Sequence, residues 1–118
     1  VGIREMNAQV QSWMLGAGPL PEAVNGNNGV VWSRRYSADT DATDCAYLRE
    51  VLDAVGAARM VVAHTVQMDG INAACEGRVW RVDVGLSAFY GGQPQALEIQ
   101  GETVRVIGPV AAEEPGKP

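Results

Sequence analysis

Apolar residues recur three or four positions apart in residues 2–15, with charged and amide side chains between them. This spacing predicts an amphipathic helix that lies on a core and ends in the stretch 16–21, which is rich in glycine and proline. Its apolar positions are Ile3, Met6, Val10, Trp13 and Met14. A turn-rich loop follows at residues 25–29, and the apolar residues at 30–33 predict a short strand.

A second helix is predicted from Cys45 to Val55, where apolar residues again follow the helical period. Thr43 or Asp44 can cap its start, and Gly56 closes it. Its predicted inner face consists of Leu48, Val51, Leu52 and Val55.

The pattern becomes extended after the second helix. Residues 59–65 contain two adjacent valines and predict a buried strand that ends at His64. Hairpins are predicted from residues 71–75 with 79–84, and from residues 96–99 with 103–107. In the strand 79–84, the alternation predicts an apolar face of Trp80, Val82 and Val84 and a polar face of Val79, Arg81 and Asp83. The element order indicates an α+β domain over residues 1–108, followed by a flexible tail over residues 109–118.

Length and charge limit the classes of function. The chain has 118 residues, of which 47% are hydrophobic and 19% are charged, so it has the profile of one folded domain. No run approaches the ~18 apolar residues that cross a bilayer, so we expect no membrane partner. The net charge of −5 argues against nucleic acid as a partner, although one or two arginines suffice to hold a small phosphorylated substrate.

The chain contains two cysteines, Cys45 and Cys75. No basic start followed by an apolar stretch indicates a secretory signal, so we expect a cytoplasmic protein. Because that compartment keeps thiols reduced, we expect free thiols packed as small apolar side chains, while a disulfide between them stays open.

His64 is the only histidine and lies at a predicted strand end, where α/β layers bind their ligands. One interpretation is a metal ligand, since a neutral imidazole suits a first-row transition metal. The other is a lone histidine that forms a hydrogen bond at the end of a strand. The acidic residues Asp39, Asp41 and Asp44 lack the glycine turn and distal glutamate of a calcium loop, so we expect helix capping and a solvated loop there.

An ordered series of motifs carries a resemblance to a known family. The motifs are VVWSRRY at residues 30–36, MVVAHTVQ at 60–67, GIN at 70–72, VWRVDVG at 79–85 and YGG at 90–92. Together they resemble the C-terminal half of a calcineurin-like metallophosphatase, and most of all its bacterial and Shewanella-like protein phosphatase branch. The resemblance covers about residues 2–100 and implies a metallophosphatase β-sandwich, of which this chain would form half.

The resemblance implies a truncated catalytic domain over residues 1–108. The family holds two metal ions with five motifs, and only the late Gly-His-Thr has a counterpart here, Ala63-His64-Thr65. The other four motifs would lie before Val1. Because each half of such a sandwich covers the apolar face of the other, we expect this chain to form a homo-oligomer.

The resemblance also assigns roles to individual residues. His64 would act in catalysis as a ligand of a divalent transition metal such as Mn, Zn or Fe. Arg34 or Arg35 would anchor the substrate phosphate with paired guanidinium donors, the alternative being a solvated basic pair. Tyr90 would reach over the active site and donate to a phosphate oxygen, unless it serves only as a turn aromatic that covers the sheet.

Two functions follow from these observations. The first is a metal-dependent phosphatase that hydrolyses phosphate monoesters of a small molecule or a phosphoprotein. His64 would be repeated by symmetry and joined by carboxylates such as Asp69 or Asp83, and Gln67 and Asn72 can line the same pocket. The alternative is a non-catalytic half-domain that self-associates or complements a missing N-terminal half.

Overall fold

A computed structural model describes residues 2–109, which form three helices and five strands. The helices are α1 (Ile3–Met14), α2 (Glu22–Asn25) and α3 (Ala42–Val55), and the strands are β1 (Met60–Val62), β2 (Asn72–Ala74), β3 (Val79–Arg81), β4 (Ala96–Gln100) and β5 (Thr103–Ile107). The predicted α+β class is confirmed, while the metallophosphatase sandwich stays a prediction. Within the described range, no helix combines the length and apolar character that crossing a bilayer requires. Beyond Pro109, the predicted tail lies outside the described residues.

The five strands form two sheets. In the larger sheet the order is β1-β3-β2, with β1 parallel and β2 antiparallel to β3. Strands β4 and β5 form a separate antiparallel hairpin. Both predicted hairpins are confirmed, although the strands of the first hairpin, β2 and β3, are shorter than predicted. The parallel pairing directs the chain that leaves β1 toward the end of β3, where the residues that follow both strands meet.

The core lies between α3 and the larger sheet. Leu48 and Leu52 of α3 and Val79 of β3 are buried together, and Met60 and Val62 of β1 pack against them. Leu48 and Leu52 were predicted to face inward, and the structure confirms them. The last predicted inner residue, Val55, is exposed instead, because it lies in the final turn of α3 beyond the short strands.

Helix α3 begins earlier than predicted. Its N-cap is Asp41, and the Asp41 and Asp44 carboxylates each accept a hydrogen bond from the backbone N–H of the other residue. This reciprocal capping satisfies two backbone donors at the helix start, so it places the first turn at Ala42 rather than Cys45. Gly56 ends the helix in the left-handed region, with φ of 70°, as predicted. The expectation that the acidic cluster supplies the helix cap is thus confirmed for two of its three members.

On β3, the side that was predicted to be polar faces the core. Val79 was assigned to a polar face with Arg81 and Asp83, yet it is fully buried against α3. Arg81 lies on the same side of the strand, where its guanidinium binds backbone carbonyls of the segment before α3. Residues therefore alternate between the two sides of β3 as predicted. The core-facing side carries both Val79 and Arg81, and the guanidinium of Arg81 is hydrogen-bonded to backbone carbonyls.

Two further predictions for the N-terminal part of the chain are wrong. Helix α1 has the predicted extent, but none of its residues is buried, so it does not lie on the core. Residues 30–33 form turns rather than a strand. The backbone N–H of Trp32 and of Ser33 both donate to the Gly29 carbonyl, and this local bonding replaces strand pairing.

Cys45 and Cys75 form a disulfide that connects α3 to the loop between β2 and β3. The expectation of reduced thiols is therefore wrong, and the alternative left open by the sequence is correct. The loop itself has three successive residues in the left-handed region, Cys75, Glu76 and Gly77. Left-handed backbone is costly for residues other than glycine, and the crosslink helps to hold this turn against the helix.

Much of the apolar surface stays in contact with solvent. Of the described residues, four hydrophobic side chains are buried and eighteen large ones are exposed. The radius of gyration is 17.0 Å, whereas a compact chain of this length has about 13.5 Å. The core between α3 and the sheet is therefore small for the number of apolar side chains in the chain.

We expect the disulfide to make a large contribution to stability. It closes a loop of 30 residues, and a loop of that length corresponds to about 3.6 kcal/mol in the chain-entropy treatment. Urea unfolding with and without reductant should show a loss of this order, and the double variant Cys45→Ala, Cys75→Ala should be insensitive to reductant. Two titratable thiols per folded chain before reduction would contradict the crosslink.

We expect the start of α3 to make the fold sensitive to acid. The backbone N–H of Asp41 holds the pKa of Asp44 below its ordinary value of 3.8, and the Arg35 guanidinium lowers it further. A carboxylate with a lowered pKa stabilises the fold above its ordinary pKa, and this stabilisation is lost as the pH falls through the lowered value. In urea unfolding between pH 7 and pH 2, Asp44→Asn should therefore flatten the acid dependence relative to the unmodified chain and to Asp39→Asn. Equal slopes in all three proteins would refute this role.

Candidate functional site

His64 lies two residues beyond the end of β1 and is exposed. Its backbone has φ of 69°, a left-handed conformation that costs a residue other than glycine about 1–3 kcal/mol. The Nδ1 atom is 2.9 Å from the Val31 carbonyl oxygen, and the Trp32 ring meets the imidazole edge-on, with 4.9 Å between ring centroids. Because a carbonyl oxygen can only accept, this contact requires the proton on Nδ1, and the corresponding neutral tautomer has its lone pair on Nε2.

The structure distinguishes the two neighbouring arginines. Arg34 Nη1 donates to Thr65 Oγ1 at 2.9 Å, which places its guanidinium beside the residue that follows His64. Arg35 turns away and forms an ion pair with Asp44 at 3.0 Å, while its guanidinium lies 4.3 Å from the centroid of the Tyr47 ring. Arg34 is therefore the arginine whose guanidinium binds the residue next to His64, whereas Arg35 binds the start of α3.

Tyr36, next to the arginine pair, has a buried hydroxyl for which no hydrogen-bond partner occurs within residues 2–109. Burial raises the pKa of this phenol, and the positive charge of Arg35 partly opposes the rise. The ring packs against the core of α3 and the sheet, so Tyr36 fixes the chain immediately after the arginines. No pattern in the sequence indicates this packing role.

Tyr90 lies in a turn that closes on the end of β3. The Gly92 N–H donates to the Gly85 carbonyl at 2.8 Å, and the Tyr90 N–H donates to the Ser87 carbonyl at 3.1 Å. A Cβ added at Gly85 would lie 2.7 Å from Tyr90 Cβ, so only glycine permits this close approach. Tyr90 and Val66 both line a cavity of about 430 Å³ next to the segment that follows His64.

Gln67 and Asn72, which the sequence suggested as polar pocket lining, form a connected network, and Gln67 also lines the cavity beside Tyr90. Gln67 Nε2 donates to the carbonyl oxygens of Ser37 and Thr65, and its Oε1 accepts from Asn72 Nδ2. Arg81, which no site prediction included, donates to Asn72 Oδ1 from the other side. Sequence spacing does not reveal this network, since Ser37 and Gln67 are 30 positions apart.

A metal ion would need more ligands than this chain brings together. Among residues 2–109, no three His, Cys, Asp or Glu side chains lie close enough to form a metal site. Transition-metal sites in proteins require three or four protein ligands, so His64 alone does not fit a metal. Of the carboxylates suggested as additional ligands, Asp83 already accepts a hydrogen bond from the Gly85 N–H, and Asp69 lines the cavity beside Tyr90.

Comparison with curated proteins finds relatives of this chain. It is similar to Shewanella-like protein phosphatase 2 of Arabidopsis thaliana, with 35% identity over 113 residues, a match that covers 90% of this chain and 29% of the plant protein. It is also similar to an uncharacterized protein of Schizosaccharomyces pombe, with 27% identity over 109 residues that cover 89% of this chain and 33% of the yeast protein. No family model and no solved structure matches.

The chain thus spans about a third or less of the length of the curated relatives that it matches. Nearly all of this chain takes part in both matches, including the residues around His64 and Arg34. The resemblance to Shewanella-like protein phosphatases that the motifs predict is therefore confirmed, and the extent of the match fits a partial, C-terminal segment of such a phosphatase.

Proposed function

We propose that this chain supplies the phosphate-binding edge of a phosphatase that hydrolyses phosphate monoesters of a small molecule or a phosphoprotein. The observation that carries the proposal is the position of Arg34, whose guanidinium binds Thr65 beside the exposed ring of His64. The similarity to a plant protein phosphatase supports the same activity.

Arg34 has the chemistry that phosphate binding needs. Its contact with Thr65 occupies one guanidinium N–H, and the planar group retains a pair of parallel donors for two phosphate oxygens. Thr65 fixes the direction of the side chain, which lowers the conformational entropy that binding would otherwise cost. Tyr90 lines the same cavity as Val66, and we propose that its hydroxyl donates a further hydrogen bond to the phosphoryl group.

His64 is proposed as one ligand of a divalent metal such as Mn, Zn or Fe. The Val31 carbonyl selects the tautomer with a free Nε2 lone pair, which is the form that binds a metal. Such an ion would activate water and polarise the phosphoryl group. Because residues 2–109 offer no complete ligand set, the other ligands must come from polypeptide outside this range.

A second proposal concerns association, and the exposed apolar surface favours it. One side of the larger sheet, which we call the open sheet face, carries Val61, Ile71 and Val82 together with Leu97 and Ile99 of the adjacent hairpin. These side chains surround a shallow cavity of about 340 Å³, and Val61 and Ile99 are exposed. We propose that a second copy of this chain, or a complementing phosphatase segment, covers this face. The alternative to a phosphatase is a non-catalytic half-domain that associates through this face.

The phosphatase proposal predicts different outcomes for the two arginines. Arg34→Ala should weaken the binding of inorganic phosphate at least about tenfold, the factor that corresponds to roughly 1.4 kcal/mol. Arg35→Ala should leave phosphate affinity almost unchanged, because that guanidinium is engaged by Asp44 and Tyr47. Titration of the 118-residue chain with phosphate, followed by NMR of the arginine Nε–H groups, measures both effects.

Hydrolysis of an aromatic phosphate monoester tests the catalytic part of the same prediction. Turnover should respond to Mn or Zn and disappear in His64→Ala, while Arg34→Ala should reduce it and Arg35→Ala should not. Turnover that ignores both chelator and His64→Ala would contradict a phosphatase site at this histidine. Phosphate affinity that depends on Arg35 and not on Arg34 would contradict the assignment of the anchor.

The association proposal predicts a particle larger than the monomer. Light scattering at micromolar concentration should give a dimer or a higher oligomer, and Val61→Lys on the open sheet face should shift it toward the monomer, because burying an unpaired charge is costly. Leu15→Lys is the matched control, since Leu15 is exposed at the end of α1, away from this face. A monodisperse monomer for the unmodified chain would contradict self-association.

A further inference from the structure

Three segments meet at the side chain of Gln67, and one of them lies 30 positions away in the sequence. They are the segment that follows β1 and contains His64, the segment 34–40 that contains Arg34, and the start of β2 at Asn72. Gln67 Nε2 lies 3.0 Å from the Thr65 carbonyl oxygen and 3.0 Å from the Ser37 carbonyl oxygen. Its Oε1 accepts from Asn72 Nδ2 at 2.9 Å. One amide group therefore connects all three segments.

The contacts of Gln67 and Arg34 form a closed circuit. Arg34 donates to the hydroxyl of Thr65, the carbonyl of Thr65 accepts from Gln67, and Gln67 donates to Ser37, which lies three residues after Arg34. Because the circuit closes, neither segment can shift without stretching a hydrogen bond in the other. The separation between His64 and Arg34 is thereby linked to a single side chain that touches neither of them.

Only an amide satisfies this arrangement. Two carbonyl oxygens require two N–H donors, and Asn72 requires an acceptor, so the group must offer two donors on one nitrogen and one acceptor oxygen. A carboxylate would face the two carbonyls without a proton to donate, and an aliphatic side chain would leave all three partners unpaired. Ser37 is buried, so its carbonyl would have little water to replace the lost donor.

Arg81 supports the circuit from the sheet. Its Nη1 donates to Asn72 Oδ1 at 3.1 Å, which orients the Asn72 amide so that Nδ2 faces Gln67. Its remaining donors bind the carbonyls of Tyr36 and Ala38, in the same segment that Gln67 holds at Ser37. The segment that contains Arg34 is therefore held at three consecutive residues, at Tyr36 and Ala38 by Arg81 of the sheet and at Ser37 by Gln67.

We propose that Gln67 is a positioning residue that holds the His64 ring and the Arg34 guanidinium at the spacing their shared site requires. His64 needs such support, because its left-handed backbone is unfavourable unless the surrounding contacts impose it. The Thr65 carbonyl that Gln67 binds belongs to the next residue in the chain. Without this hydrogen bond, the segment relaxes, the Val31 contact of the ring loosens and the arginine loses its fixed direction. The proposal rests on the proposed function in one respect, because phosphate binding is the role that we assign to this spacing.

Gln67→Leu tests the proposal, because leucine keeps the approximate volume and removes both donors and the acceptor. The first measurement is the ¹H–¹⁵N long-range correlation spectrum of the imidazole, which is unambiguous because the chain has one histidine. The unmodified chain should show one neutral tautomer with the proton on Nδ1, and Gln67→Leu should show a mixture of both tautomers. The second measurement is inorganic phosphate affinity, which should fall about tenfold, equivalent to roughly 1.4 kcal/mol.

Gln95→Leu is the matched control. Gln95 Oε1 also accepts a long-range backbone hydrogen bond, from the Ile71 N–H at 2.7 Å, and within residues 2–109 its side chain forms no hydrogen bond to the segments that carry His64 and Arg34. Because Gln95 lines the same cavity as Tyr90, the tautomer is the readout of this control: the variant should lose stability to a similar extent while the tautomer stays unchanged. An equal effect of the two variants would show that general destabilisation, rather than positioning, is responsible.

A second variant decides the question if Gln67→Leu does not fold. Asn72→Asp keeps the acceptor for Arg81 and removes the donor to Gln67 Oε1 together with the local contact to the Gly70 carbonyl, so it should produce the same mixture of tautomers. A folded variant of either kind with an unchanged tautomer overturns the proposal. If the unmodified chain fails to bind phosphate, the proposed function fails, while the tautomer measurement still decides the role of Gln67.

Discussion

The contact between α3 and the sheet is the interaction on which the rest of the described structure depends. Leu48 on the helix and Val79 on β3 are fully buried against each other, and few other side chains join them. This contact places β1 and β3 side by side and so brings the residues that follow both strands to one edge. A core of this size supplies little hydrophobic free energy, which is why the disulfide beside it matters.

Polar contacts do most of the positioning outside that core. The segment 34–40 contains no regular secondary structure, yet Arg81 and Gln67 bind successive carbonyls along it. Backbone carbonyls that would otherwise bond within a helix or sheet are thus satisfied by side chains from two other segments. These contacts fix the irregular loop that carries Arg34, whose guanidinium binds the residue next to the histidine.

Local patterns were sufficient to predict α1, α3, the two hairpins and the strand before His64, although this strand ends at Val62 and its Val61 is exposed. These features depend on the spacing of apolar residues and on turn residues such as Gly56, which act over short distances. The errors arose where distant residues decide the outcome. Residues 30–33 have strand-forming side chains, but the backbone N–H groups of Trp32 and Ser33 bond locally to Gly29. Helix α1 has an apolar stripe, but none of its residues is buried.

The candidate site shows the same limit. The motifs identified His64 and the arginine pair, but they did not distinguish Arg34 from Arg35, because that choice depends on Thr65 and Asp44 in other segments. Gln67 was noted only as a polar neighbour, and Arg81 was assigned to a polar strand face without a role. Compartment reasoning also failed for Cys45 and Cys75, since proximity in the fold, and not the absence of a signal, determines whether two cysteines meet.

Among the described residues, the strand order of the three-stranded sheet leaves two of its strands with unpaired edges. Both outer strands, β1 and β2, pair with β3 alone within residues 2–109, so each presents a row of main-chain donors and acceptors along its outer border. Such borders accept an additional strand from another polypeptide through backbone hydrogen bonds, without any change in side chains. The sheet can therefore be continued sideways, while the length of only three residues in each outer strand limits how many backbone hydrogen bonds an added strand can gain.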